Sequence, residues 1–166
     1  MLIPTVRRTW APVGQTPIIR HRYNHARISV IGGLSVSPKR RRLGFYFRLH
    51  AKNISRDEVH DFLWYLLRHL RGHVIVIWDG ASIHHRNGLD AICDQYPRLH
   101  LEKLPAYAPE LNPVEYIWGY MKQRELANLC LHTIGEVGTF ARNRLKSMQR
   151  RRQLITAFWQ QAQLPI

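Results

Sequence analysis

A chain of 166 residues, 45% of them hydrophobic, is long enough to bury one core and reads as a single domain over residues 1–166. Its 25 Lys and Arg against 11 Asp and Glu leave a net charge of +14, which points to nucleic acid as partner and away from a small-molecule substrate. Two cysteines, Cys93 and Cys130, are too few and too far apart for a zinc motif or a disulfide framework; no apolar run reaches the roughly 20 residues of a membrane span; and Met1 to Trp10 lacks the apolar core of a signal peptide, so a cytoplasmic protein is expected.

The charge is unevenly placed. Residues 1–56 hold 12 Lys and Arg and no acid, residues 57–136 hold 7 with all 11 acids, and residues 137–166 hold 6 with none. Acids in the middle and cations on both flanks suit a metal site with phosphate-gripping margins, the plain alternative being a solvated basic surface.

In chain order, residues 26–35 and 43–50 flank the turn-rich link SPKRRR. Leu43, Phe45, Phe47 and Leu49 alternate with Gly44, Tyr46, Arg48 and His50, the period of a half-buried strand, so a β-hairpin is predicted. Its tip carries Lys39, Arg40, Arg41 and Arg42, which either grip DNA backbone or form an ordinary solvated loop. Ser55 and Glu58 make a capping-box pattern, and Val59, Phe62, Leu63, Leu66 and Leu70 recur at helical spacing up to Gly72. His73 to Trp78 is short, β-branched and apolar on both faces, which predicts a central strand covered by helices on both sides. Asp79 follows it, at the carboxyl end where open α/β sheets place their sites.

Leu89, Ile92, Cys93 and Tyr96 mark another helix, stopped by Pro97, and residues 99–104 alternate as a further strand. The loop PAYAPEL leads to Asn112 and Pro113, an N-cap and first helical position, and the helix beyond buries Val114, Ile117, Trp118 and Met121. Thr133 and Glu136 cap a last helical region, whose basic run includes Arg142, Arg144, Lys146, Arg150, Arg151 and Arg152. The order of elements gives an α/β fold, a mixed sheet with helices on both sides.

Two carboxylates stand out. Asp79 ends an apolar strand and reads either as a metal ligand or as a local turn former, although Gly80, Ala81 and Ser82 are better suited to the turn. Glu115 occupies the third position of its helix, where a capping box back to Asn112 competes with a ligand role. Lys122 lies seven residues further on, two turns along the same helix face, so that face is expected to carry metal ligand and phosphate contact together. His84 and His85 are adjacent and cannot both face one ion from regular structure, so His84 is read as a supporting or phosphate-contacting residue. Trp118 reads as core, while Tyr107 remains open between loop and base stacking.

At these residues the chain resembles the bacterial insertion-sequence transposases of the 630 group, in the mariner superfamily of DDE transposases. The stretches are RRTWAPVGQTP at 7–17, VIVIWDGASIHH at 74–85 and LPAYAPELNPVEYIWGYMK at 104–122. The resemblance implies a ribonuclease H-like fold in which three acids hold two Mg²⁺ or Mn²⁺ ions for DNA strand cleavage and strand transfer, acting on transposon ends and target DNA. By motif, Asp79 is similar to the second acid and Glu115 to the third.

Two departures accompany it. Gly80 stands where family members commonly have Asn, and residues 1–56 contain no acid to serve as the first of the triad. The expectation is therefore a catalytic portion whose first strand and first Asp come from an upstream reading frame, in a bacterial, nucleoid-associated protein that pairs with itself or with full-length transposase. The alternatives are a catalytically inactive, basic DNA-binding remnant that regulates the transposase, and a ribonuclease H-like nuclease unconnected with transposition.

Overall fold

The computed structural model describes residues 6–18, 27–79, 90–105 and 108–165. Strands β1 (Ser29–Val36) and β2 (Leu43–His50) pair antiparallel from Ser29 opposite His50 to Val36 opposite Leu43, the predicted hairpin. Its turn closes on Ser37, whose hydroxyl accepts the N–H groups of Arg41 and Arg42 at 3.2 and 3.1 Å, while Arg40 adopts a left-handed φ of 51°. Period-2 alternation then separates two covered faces. Val30, Leu34, Leu43, Phe45, Phe47 and Leu49 pack with the carboxyl-terminal helices, and Ile31 and Tyr46 join the other cluster. At Gly32 a Cβ would come within 2.9 Å of the Trp118 ring, so glycine is what lets that indole lie on the strand.

Helix α1 (Arg56–His69) starts as the sequence predicts. The Glu58 carboxylate accepts the Ser55 backbone N–H at 2.8 Å and also takes the Ser55 hydroxyl. Val59, Phe62, Leu63, Leu66 and Leu67 are buried on its inner face. The carbonyls left over at its carboxyl end are taken by one side chain: the Arg98 guanidinium donates to Leu70 at 2.8 Å, to Gly72 at 2.9 Å and to Leu67. Gly72, at φ 74°, turns the chain into the next strand.

Strand β3 (Val74–Trp78), helix α2 (Asp90–Gln95) and strand β4 (Leu99–Lys103) form a parallel unit, registered from Val74 opposite Leu99 to Trp78 opposite Lys103. Here one expectation is corrected. Val74, Val76 and Trp78 pack beneath α1, but Ile75 and Ile77 are 65% and 61% exposed, so β3 is covered on one face and not two. The physical reason is that, among the described residues, no second layer lies over that face. Among the described residues, β1–β2 and β3–β4 are separate two-stranded ribbons, one antiparallel and one parallel, sharing the α1 core without sharing a strand pairing.

Beyond β4 a 3₁₀ turn (Pro109–Leu111) leads to α3 (Pro113–Tyr120), which widens into a π-helical turn at Met121–Glu125, marked by the Leu126 N–H donating to the Met121 carbonyl at 2.8 Å. Then come α4 (Ile134–Arg150) and α5 (Arg152–Gln161). Ile117, Met121, Ala141, Leu145, Met148, Ile155 and Phe158 close the second core around Phe45. The single last helical region expected from the sequence is two helices, because Arg151 leaves the helical conformation at φ −90°, ψ 83°. Its guanidinium and that of Arg144 flank the mostly buried carboxylate of Glu125, each at 3.3 Å, which holds the break against the π turn. Among the described residues no helix is long and apolar enough to cross a membrane.

Candidate metal-binding carboxylates

The parallel ribbon determines where Asp79 sits. The Leu104 N–H donates to the Trp78 carbonyl at 2.8 Å, extending the β3–β4 ladder to its carboxyl rim, and Asp79 follows there, exposed. From the same rim the chain leaves β4 for the 3₁₀ turn and α3, whose first turn bears Glu115. Topology therefore places one acid directly after β3 and the other at the start of the helix reached from β4.

Glu115 is best understood beside two other glutamates. Three helices, α1, α3 and α4, carry Glu at the third position, where the carboxylate can reach back over the free N–H groups of the first turn. Glu58 does so at α1 and also holds the Lys52 ammonium at 2.8 Å; these hydrogen bonds, Lys52 first, draw its pKa down to about 2. Glu136 does so at α4, accepting the His132 N–H at 2.9 Å, and its pKa is lowered chiefly by that bond. At α3 the corresponding donor is already engaged, because the Asn112 N–H donates to the Pro109 carbonyl at 3.0 Å. The Asn112 side chain caps the helix alone, accepting from the Val114 N–H at 3.1 Å. The Glu115 carboxylate is exposed and has no hydrogen-bond or ion-pair partner among the described residues.

Lys122 is exposed but not on an α-helix. It lies in the π turn, so the expected two-turn alignment with Glu115 is altered, and no ion pair joins the two among the described residues. Lys39, Arg40, Arg41 and Arg42 are exposed at the hairpin tip, at the end of a ribbon separate from the one that ends at Asp79. His84, His85, Gly80 and Tyr107 lie outside the described residues. Trp118 is half-buried on Gly32, a core residue as expected.

One contact escaped the sequence reading. Arg7 is clamped by its N–H to the Asn128 side chain at 2.8 Å, its carbonyl to the Asn128 amide at 3.0 Å and its guanidinium to Gln123 at 2.7 Å. Asn128, at φ 55°, and Gln123 thus hold the RRTWAP segment beside the π turn, with Trp10 fully exposed. A separation of 121 residues leaves no local signal for such a pairing.

As a metal site the pair fits in kind and falls short in number. Carboxylate oxygens are the hard donors that Mg²⁺ and Mn²⁺ take. Among the described residues, however, no group of three His, Cys, Asp or Glu side chains is placed to hold an ion.

Comparison with known proteins bears on this arrangement. No curated protein matches the chain. Among solved structures it is similar to a chain in the crystal structure of the Mos1 strand transfer complex, with a TM-score of 0.60 at 15% identity, covering 96% of this chain and 46% of that one. The chain thus spans about half the length of that relative, and the likeness establishes a ribonuclease H-like fold. The family model described as DDE superfamily endonuclease matches residues 2–137, and by this match over most of its length the chain belongs to that family.

Proposed function

We propose that this chain is the catalytic portion of a transposase of the bacterial insertion-sequence 630 type, which cuts and joins DNA strands once a third carboxylate is supplied from outside residues 1–56. The observation that carries the reading is the Glu115 carboxylate, left exposed at the start of α3 where the glutamates of α1 and α4 are consumed as caps. A carboxylate withheld from the local bond it is placed to make is available to a ligand.

In this reading Asp79 and Glu115, completed by the third carboxylate, would hold a pair of divalent ions, Mg²⁺ or Mn²⁺. When bound, such a pair stabilises the attacking and leaving oxygens of an in-line displacement at phosphorus. The carboxylates orient and neutralise; Lys122, His84 and the hairpin tip Lys39–Arg42 contact backbone phosphates of the transposon ends and target. The exposed face of β3 supports the need for a further segment, because parallel strands are normally covered on both sides. A strand ending in Asp, paired along the edge of β3, would bring a third carboxylate to the rim, while Ile75 and Ile77 would need a covering layer of their own.

The test is to fuse or co-express an upstream segment bearing such a strand and to assay Mg²⁺- or Mn²⁺-dependent nicking of transposon-end DNA. Cleavage by the completed protein is expected, abolished by Asp79→Asn and by Glu115→Gln with DNA binding retained. Cleavage that survives either substitution removes the assignment. A second reading, a non-catalytic DNA-binding regulator, is favoured by the basic flanks, which hold 12 and 6 Lys and Arg with no acid. It expects salt-dependent DNA binding with no cleavage in either form.

A further inference from the structure

Residues 137–166 contain six Lys and Arg and no acid, and the structure divides these cations into two groups. Arg144 and Arg151 are committed to Glu125, each at 3.3 Å. Arg142, Lys146, Arg150 and Arg152 are exposed and have no ion pair among the described residues. Because Ala141, Leu145 and Met148 point into the core, Arg142, Lys146 and Arg150 fall on the outer side of α4. Four-residue steps place successive cations about 6 Å apart along the axis, a ladder roughly 12 Å long on one rigid element. Asn143 adds a neutral hydrogen-bonding group on the same side. At the helix break the ladder runs into a surface depression of about 420 Å³ lined by Arg150, Arg151, Arg152, Gln153 and Leu154.

A solvated helix face in this same chain looks different. On α1, Asp57 and Asp61 alternate with Arg56, His60 and Arg68, the mixed-sign pattern that keeps an exposed helix locally neutral. The outer face of α4 has no such balance beyond its cap residue Glu136, and an unbalanced ladder of cations repels itself and attracts a polyanion.

We propose that the outer face of α4, continued by Arg152, is a phosphate-backbone interface for duplex DNA, distinct from the carboxylates of Asp79 and Glu115. The inference rests on the DNA-directed reading above and adds to it a second surface, one that grips backbone without reading sequence. Each neutralised phosphate releases counterions, so three contacts give a contribution of about 2.7 to the slope of log affinity against log salt.

The test uses the full chain without metal, so that it is independent of cleavage, and measures binding to a 30-base-pair duplex of arbitrary sequence by fluorescence anisotropy across a salt series. The variant R142Q/K146Q/R150Q is expected to flatten the slope by about two to three units and to weaken low-salt binding more than tenfold. The variant R56Q/R68Q/R71Q, which removes equal charge from the region of α1, is expected to change the slope by less than about one unit. Equal flattening by both triples overturns the proposal, since net charge alone would then be responsible. Tighter binding of single-stranded RNA than of duplex DNA at the same salt overturns it as well. Should the α4 triple fail to fold, as judged by its circular dichroism, the single exposed substitution Lys146→Glu carries the same expectation at about one to two units.

Discussion

The two ribbons of this molecule each pack apolar side chains on the α1 core and differ in what lies on their other side. In β1–β2 both faces are covered: Phe45 is 2% exposed against α3, α4 and α5, while Tyr46, its neighbour, joins the α1 core on the opposite side. In β3–β4 the α1 side is equally well packed, with Val74 and Leu99 at 8% and 3%, but the far side presents Ile75 and Ile77 to solvent. The lesson is that strands with similar packed faces are covered to different degrees on their far sides. The hairpin is a finished piece of core, whereas the parallel pair is finished only where it meets α1 and remains open on the side next to its acid-bearing rim.

If that contrast is right, substitutions should sort by ribbon and by face. Phe45→Ala should have the largest effect, about 3–5 kcal/mol by urea denaturation, since it empties the second core where three helices converge. Leu99→Ala, on the packed face of the parallel ribbon, should cost about 2–5 kcal/mol; a negligible loss would mean that the ribbon is loosely attached to α1 altogether.

A pH titration gives a smaller but diagnostic effect. The Glu58 pKa is depressed from 4.5 to about 2, so its bonds to Lys52 and Ser55 stabilise the folded chain above pH 4.5, and that stability is lost as pH falls towards 2. Glu58→Gln should remove this part of the acid transition, measured as the pH dependence of the urea midpoint. The smallest effect is expected at Ile77→Thr, within about 0.5 kcal/mol in the chain alone. A loss several times larger would show that the outer face is already covered in solution.

Local signals were legible in the sequence. The hairpin was readable from the alternation of Leu43, Phe45, Phe47 and Leu49, and the starts of α1 and α4 from Ser55 with Glu58 and Thr133 with Glu136, because each depends on residues a few positions apart. What could not be read depends on competition or on distance. Ile75 and Ile77 have the composition of buried residues, and they are exposed because no layer among the described residues covers them. Glu115 has the spacing of a cap, and only the Pro109 carbonyl, by occupying the Asn112 N–H, frees it. The break at Arg151 has neither Pro nor Gly to announce it; it is stabilised from afar by Glu125. Asp79 and Glu115 were singled out by motif, and their role as metal ligands is what the proposed cleavage assay decides.

The open face of β3 also affects how the molecule behaves in a test tube. An exposed apolar face is a surface on which another copy can pack, and soluble proteins ordinarily keep such patches small. Here the guard against such packing is electrostatic, since a net charge of +14 drives copies apart. Raising the ionic strength shortens the reach of that repulsion to about 8 Å at 0.15 M and about 3 Å at 1 M. The chain is thus expected to stay dispersed at low salt and to clump as salt is added, the reverse of a protein held together by ion pairs.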